Sequence, residues 1–296
     1  MSLDKSVSVI IPNLHSPVID RTLTSLKAQT YDEGPMEVLV VGQDKHHLVT
    51  EDELVRFVRT PRPVIQSIAR NIGADQAQSD ILVFIDADCI AAPKWLQHLI
   101  SRLEDPNVDV VGGGVALQPD GYWTLCDNIA ILYAWSFTGS PGTRPYLASL
   151  NLAVRRKVWE RLGGFDEAFV KAEDTEWSIR ARLAGYDLHF EPRAVVWHQP
   201  PEARNQFAAM VRRAFESGYW TSKAFSRYRE EIGLPLVYRK AWLMALSALV
   251  TAAGVTFKIF RHQGLQRFWY ALPMVYVNKL IWRIGGIVQL LQQSTT

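Results

Sequence analysis

Cysteine is nearly missing from this sequence. The two present, Cys89 and Cys126, form no CxxC and no metal-ligand spacing. That excludes a disulfide framework and a thiolate metal site, and it suits a reducing compartment. The opening MSLDKSVSVIIP has no apolar core of a secretory signal ahead of its first strand-like run, so the front of the protein is expected to be cytoplasmic. Internal repeats and low-complexity linkers are missing too. Where a nucleotidyltransferase would usually place a glycine-rich phosphate loop, after the first strand, the chain reads LHSPVID. Net charge is also scarce, +2 over 296 residues, but it is unevenly spread. From Glu202 onward 13 Lys/Arg face 4 Asp/Glu, leaving 19 against 26 before it. An acidic front therefore precedes a basic rear.

A hydrophobic fraction of 48% with 21% charged residues can build a sizeable globular core,. In the rear, Ala241–Phe257 runs seventeen residues without a charge, bounded by Arg239-Lys240 and by Lys258 and Arg261. Beyond it FWYALPMVYVNKLIWRIGGIVQLL carries only Lys279 and Arg283. Basic residues beside so much apolar and aromatic surface, including Trp242, Trp269, Tyr270, Tyr276 and Trp282, argue against nucleic acid and for a membrane surface. Seventeen helical residues reach about 25 Å, at the short edge of a bilayer span. A spanning helix, a helix lying flat and a buried core helix all remain open from this run. The expected division is residues 1–200 as a catalytic domain and 201–296 as a helical, membrane-associating region.

The front half alternates β-branched runs with helical patterns. VSVIIP, EVLVVG (Glu37–Gly42), LVRFV (Leu54–Val58), ILVFID and VDVVGGGVAL (Val108–Leu117) read as strands, with helices over Val18–Gln29, Gln66–Gln78 and Pro93–Leu103. Tyr146–Arg156 reads as another strand, Ala172–Tyr186 as a helix with an acidic start, and Asp187–Pro201 as two short strands. The pattern predicts an α/β fold, a Rossmann-like, mostly parallel sheet covered on both faces. The glycines Gly112–Gly114 are expected to admit a backbone or a ligand.

Ligands of such sheets bind beyond the carboxyl ends of the strands. Pro12-Asn13, Asp44 and the pair Asp86/Asp88 fall there. Two carboxylates one residue apart can ligate a hard divalent cation, which neutralises a diphosphate; alone, they could equally cap a turn.

The ordered set VSVIIP, EVLVVGQD, ARNIGADQAQSDILVFIDADC, LGGFDEAF and AEDTEWSIRARLAGY resembles the family 2 glycosyltransferases of the GT-A fold. The likeness spans about Val7 to His198, two thirds of the chain. It implies that Pro12 packs near the nucleobase, Asp44 reaches the nucleoside and Arg70 lies along the nucleotide. Asp86 would reach the ribose or a metal-bound water, and Asp88 would ligate Mg²⁺ or Mn²⁺, with His198 a further ligand. Asp174 would be the catalytic base, with Glu173 and Trp177 on the acceptor side. The implied donor is a nucleoside-diphosphate sugar, UDP before GDP or dTDP. The implied acceptor is a hydroxyl of a lipid-linked or envelope glycan, and the implied location is the cytoplasmic face of a membrane, peripheral or with one or two C-terminal membrane helices. Gly42 and Gln43 stand where many members carry paired acids, which leaves the donor base open. A Q-x-x-R-W motif is missing, which argues against a processive polymer synthase. Rival readings are a polyprenyl-phosphate glycosyl synthase and a nucleotide-sugar-binding scaffold without turnover.

Overall fold

The alternating runs of the front half become strands and helices in the computed structural model, which describes residues 5–118, 121–262 and 264–293. VSVIIPNL forms β1 (Val7–Leu14), buried at every position but its last, as a strand covered on both faces must be. In α1 (Ile19–Lys27), Ile19, Thr22, Leu23 and Leu26 are buried at helical spacing,. There follow β2 (Met36–Gln43), β3 (Val55–Arg59), α2 (Gln66–Gln76), β4 (Ile81–Ile85), β5 (Cys89–Ala91), α3 (Trp95–Leu103) and β6 (Val110–Leu117). Helix α4 (Tyr122–Leu132) precedes β7 (Gly142–Thr143), β8 (Asn151–Arg155), α5 (Arg156–Leu162), α6 (Glu173–Leu183) and β9 (Leu188–His198). The remainder is helical: α7 (Phe207–Arg227), α8 (Ala241–Leu246), α9 (Ala248–Phe260) and α10 (Leu272–Gln293).

These elements group into two compact units. One comprises the residues up to Ala116 with Ser140–Pro201, the other Leu117–Gly139 with the residues from Glu202 on. The first unit holds a single sheet in the order β3-β2-β1-β4-β8-β6-β9-β5, with β7 beside β9. This is the expected α/β architecture. Strands β3, β2, β1 and β4 run parallel, and β8, β5 and β7 pair antiparallel with their neighbours.

Three local expectations need correction. Asp187–Pro201 holds one long strand, not two. Pro192 has no amide proton to give a ladder, but β9 pairs with β7 before it, at His189 and Phe190, and with β5 after it, at Val196–His198,. The strand expected over Tyr146–Arg156 begins only at Asn151, because a turn closed by Asn151 N–H on Ala148 O occupies the preceding residues. The glycines of β6 admit side chains as well as the expected backbone: a Cβ on Gly112 would meet Leu147 at 2.6 Å, and one on Gly113 the Asn151 amide at 2.3 Å and the backbone Ala194 O at 2.4 Å.

In the second unit α7 and α10 cross closely. A Cβ on Gly218 would lie 1.8 Å from Trp282 O, and one on Gly285 2.1 Å from Phe215 O. Helix α4 is tied to both, since Asp127 accepts from Arg213 Nε at 2.6 Å and from Asn278 Nδ2 at 3.0 Å. The apolar run Ala241–Phe257 is not one helix; it breaks at Ser247. Ser247 Oγ bonds back to Leu243 O at 2.7 Å, and the buried Arg283 guanidinium donates to both Met244 O and Ser247 Oγ. The break supplies the acceptors that a buried cation needs. No helix among the described residues is long and apolar enough to cross a membrane.

Gly42 ends the buried part of β2 at φ +134°, and a Cβ there would lie 2.0 Å from Asn13 O. A residue with a Cβ does not fit that backbone without a shift of Asn13,. Gly42→Ala is expected to cost about 3 kcal/mol of unfolding free energy, combining left-handed strain with overpacking. Urea denaturation of the purified chain measures it.

Candidate active site

β4 delivers Ile85 to its carboxyl end fully buried, and the chain then turns, with Cys89 N–H on Asp86 O at 3.1 Å. The turn separates two carboxylates with different partners. Asp86 accepts from Arg70 Nη2 at 2.5 Å. Asp88 is carried into the short strand β5, whose Cys89 pairs with His198 of β9. That pairing brings Asp88 Oδ1 to 3.7 Å from His198 Nε2, and Gln199 N–H bonds Asp88 O at 2.8 Å. Strand β5 was invisible in the sequence, being three residues long, and it alone brings Asp88 and His198 together.

Arg70 is the centre of the site. It lies on α2 with 1% of its surface exposed, one Nη on Asp86 and the other on Glu173 Oε1 at 2.6 Å. Its guanidinium also stands over the Phe165 ring, 5.8 Å from the centroid. The resemblance predicts it alongside a nucleotide; here both arms are committed to carboxylates. The next residue, Asn71, clasps the GGFDE loop, donating to Phe165 O and accepting from Phe165 N–H, both at 2.9 Å. Arg180 of α6 holds the same loop through Leu162 O and Gly164 O. Asn71 and Arg180 were both missed as site residues, although the ARN tripeptide contained the first.

Glu173 and Asp174 open α6. The residue before them, Ala172, sits at φ +58° and offers no side-chain cap. A left-handed alanine costs about 1 kcal/mol, and here it turns two acids inward. Asp174 is held on both oxygens: Oδ2 accepts from Ser149 N–H at 3.1 Å and Oδ1 from Thr175 N–H at 2.7 Å. Ser149 belongs to the turn that shortened β8, so that turn supports the acid. Burial raises the Asp174 carboxyl above its usual range, opposed by the Ser149 amide and by Arg70. Burial likewise raises Glu173, to about 7, with Arg70 opposing and the neighbouring Asp174 charge adding to the rise. Trp177, expected on the acceptor side, is instead fully buried one turn below, against Trp159 at 5.8 Å and Phe165 at 6.3 Å. It is a floor for the acidic turn and not a surface that a ligand touches.

Pro12 is buried in β1 opposite Val41. Asp44 spends its carboxylate on loop amides, His46 N–H at 3.0 Å and Val49 N–H at 2.8 Å. Among the described residues no set of three or more His, Cys, Asp or Glu side chains is placed to hold a metal. The pair Asp88–His198 does fit a cation that takes its other ligands from a substrate. The nitrogen facing Asp88 is Nε2, while Nδ1 is buried without a hydrogen-bond partner among the described residues; a carboxylate oxygen with an imidazole nitrogen is a donor set suited to Mn²⁺ more than to oxygen-seeking Mg²⁺.

Residues 5–219 match the family described as glycosyltransferase like family 2. Over 223 residues the chain is 29% identical to glycosyltransferase AglE of Haloferax volcanii, covering 72% of this chain and 71% of the relative. Its fold matches the mannosyltransferase PcManGT from Pyrobaculum calidifontis, solved in complex with GDP-Man and Mn²⁺, with TM-score 0.62 and 20% identity over 97% of this chain and 87% of that one. It also matches GalNAc-T7, solved with UDP, GalNAc and Mn²⁺, with TM-score 0.55 and 19% identity over 78% of this chain and 51% of that one.

Removing Arg70 would leave Asp86 and Glu173 facing each other without a cation. Arg70→Met is expected to cost about 3–5 kcal/mol of stability above pH 7. The loss should be smaller below pH 7, where Glu173 takes up a proton. In the wild type the raised Glu173 carboxyl favours the folded state at acid pH, and that contribution is lost as the pH rises through about 7,. Denaturation midpoints of both proteins across that range give the comparison, and a penalty independent of pH would contradict it.

Proposed function

The chain belongs to the glycosyltransferase like family 2, and from that premise we propose that it is an inverting, metal-dependent hexosyltransferase. It moves a sugar from a nucleoside-diphosphate donor, UDP-linked before GDP- or dTDP-linked, to a hydroxyl of a lipid-linked or envelope glycan at the cytoplasmic face of a membrane. One observation carries the reading. A single buried guanidinium, Arg70, ties the carboxylate that ends β4 to the acidic first turn of α6, so the donor motif and the base motif share one rigid frame.

In this mechanism Asp174 accepts the proton of the acceptor hydroxyl as its oxygen attacks the anomeric carbon, and the nucleoside diphosphate departs from the opposite face. Two amides and two hydroxyls fix the carboxylate in place, and its raised proton affinity makes it a better base than a solvated aspartate,. Glu173 and Arg70 hold that turn, while Pro12 and Asp44 shape the loops beside the nucleoside. Asp88 and His198 would hold Mn²⁺ or Mg²⁺, with Asp86 beside them in the DXD motif, and the cation would neutralise the charge growing on the leaving diphosphate.

The second reading, a polyprenyl-phosphate glycosyl synthase, needs no base because a phosphate is already ionised. The support around Asp174 favours the hydroxyl acceptor. Asp174→Asn is expected to lower kcat by 10²–10⁴-fold, roughly the worth of a general base, with donor affinity unchanged. Undiminished turnover in that variant would favour the phosphate acceptor. Calorimetric titration of UDP-, GDP- and dTDP-sugars with Mn²⁺ should give metal-dependent binding to wild type that Asp88→Ala loses. Donor binding that never leads to donor consumption would identify a scaffold instead.

A further inference from the structure

Helices α8 and α9 differ from a helix on a water-facing surface in being apolar on the outer side as well as the buried one. A solvated helix buries its apolar stripe and exposes charge. Here α9 buries Ala252, Thr256 and Ile259 and exposes Leu249, Val250 and Phe257 at 64%, 76% and 64%. On α8, Trp242 and Leu246 stand outward at 61% and 77%. On α8 the two stand four residues apart, and on α9 Phe257 follows Val250 by seven and Leu249 by eight, so they line one side of each helix. Exposed Lys240 flanks this face at one end, and exposed Lys258 and Arg261 flank it at the other.

Charge selects what covers that face. From Ile232 to the final residue the sequence holds seven Lys/Arg and no Asp or Glu; Arg283 is buried and Lys279 gives its amine to Ala130 O, which leaves Lys240, Lys258, Arg261 and Arg267 exposed. A second copy would bring the same cations against these, whereas an anionic surface complements them. A cavity of about 370 Å³ opens beside the face, lined by Arg229, Arg239, Lys240, Trp242 and Leu290 among others. Arg239 is committed to Glu230 and to the Leu234 and Arg229 carbonyls. Lys240 has no ion pair among the described residues. The cavity thus joins a cation to an apolar wall through Trp242, which also belongs to the exposed face.

We propose that the α8–α9 face is a docking surface for an anionic lipid bilayer, with Leu246, Leu249, Val250 and Phe257 entering the interface and Lys240 taking a lipid phosphate at the cavity. The two helices lie in the interfacial plane and do not cross it. Only the purpose of this surface rests on the membrane-acceptor reading above; its chemistry does not.

Flotation of the full chain with phosphatidylcholine vesicles, and with equimolar phosphatidylcholine–phosphatidylglycerol vesicles, tests it. The wild type is expected to float with the anionic vesicles and far less with the neutral ones. Lys240→Gln and Lys258→Gln should each weaken anionic binding by about fivefold, the worth of one cation near such a surface. The double variant Leu249→Glu/Val250→Glu should abolish it, while thermal unfolding and metal-dependent donor binding stay unchanged, since both positions point into solvent. The surface is refuted if wild type ignores both vesicles, if the double variant still floats, or if the face proves to be a dimer contact that this variant dissolves in gel filtration. Because donor binding is read on the same samples, loss of one reading leaves the other standing.

Discussion

A guanidinium with 1% of its surface exposed cannot stand alone in a protein interior,. Arg70 is tolerated because two carboxylates meet it, Asp86 from the end of β4 and Glu173 from the start of α6, and the geometry of the first unit's candidate site follows from that requirement. Strand β4 must end where Asp86 can reach α2, and the GGFDE loop must bring α6 back to the same helix. Asn71 and Arg180 close that loop with bonds to Phe165, Leu162 and Gly164. Asp174 is placed by its neighbour's ion pair as much as by its own hydrogen bonds.

The same burial that makes Arg70 necessary makes the acids beside it hold protons more tightly. Glu173 and Asp174 are both raised by loss of water, with the Arg70 charge working against the rise. The cation thus limits how far two adjacent carboxyls drift from their ionised forms. Ala172 adds local strain at the one residue where the backbone must turn both acids inward,. Trp177 and Trp159 fill the space beneath that turn, so the acids rest on a rigid aromatic floor.

The helical unit obeys a different constraint. Its interior is held by close helix approach at Gly218 and Gly285 and by buried polar groups, Asp127 with Arg213 and Asn278 and Arg283 with the carbonyl freed at Ser247. Helices α8 and α9, AWLMAL and ALVTAAGVTFKIF, carry apolar residues on their outer side as well.

Much was legible from residues alone. Uninterrupted β-branched runs bounded by turns gave the strands of the parallel half to within a residue or two, because a strand buried on both faces must be apolar throughout. The order ARN, DAD, GGFDE and ED was enough to point to the family, since each piece sits where a strand or loop has to deliver it. What pairs with what was not legible. The sequence could not place β5, whose three residues form a strand only because β9 lies beside them, nor keep β9 whole across Pro192, whose missing amide falls between two partners. It could not say that Arg70 is met by two acids, that Trp177 is core, or that an apolar run of seventeen residues breaks at Ser247 to serve a cation 36 residues further on. Nor could it say that Leu117–Gly139 groups with the C-terminal helices. Propensity and periodicity are local properties, and so the chain itself determined them. Partners distant in sequence are chosen by burial and hydrogen bonding, which exist only once the chain has folded.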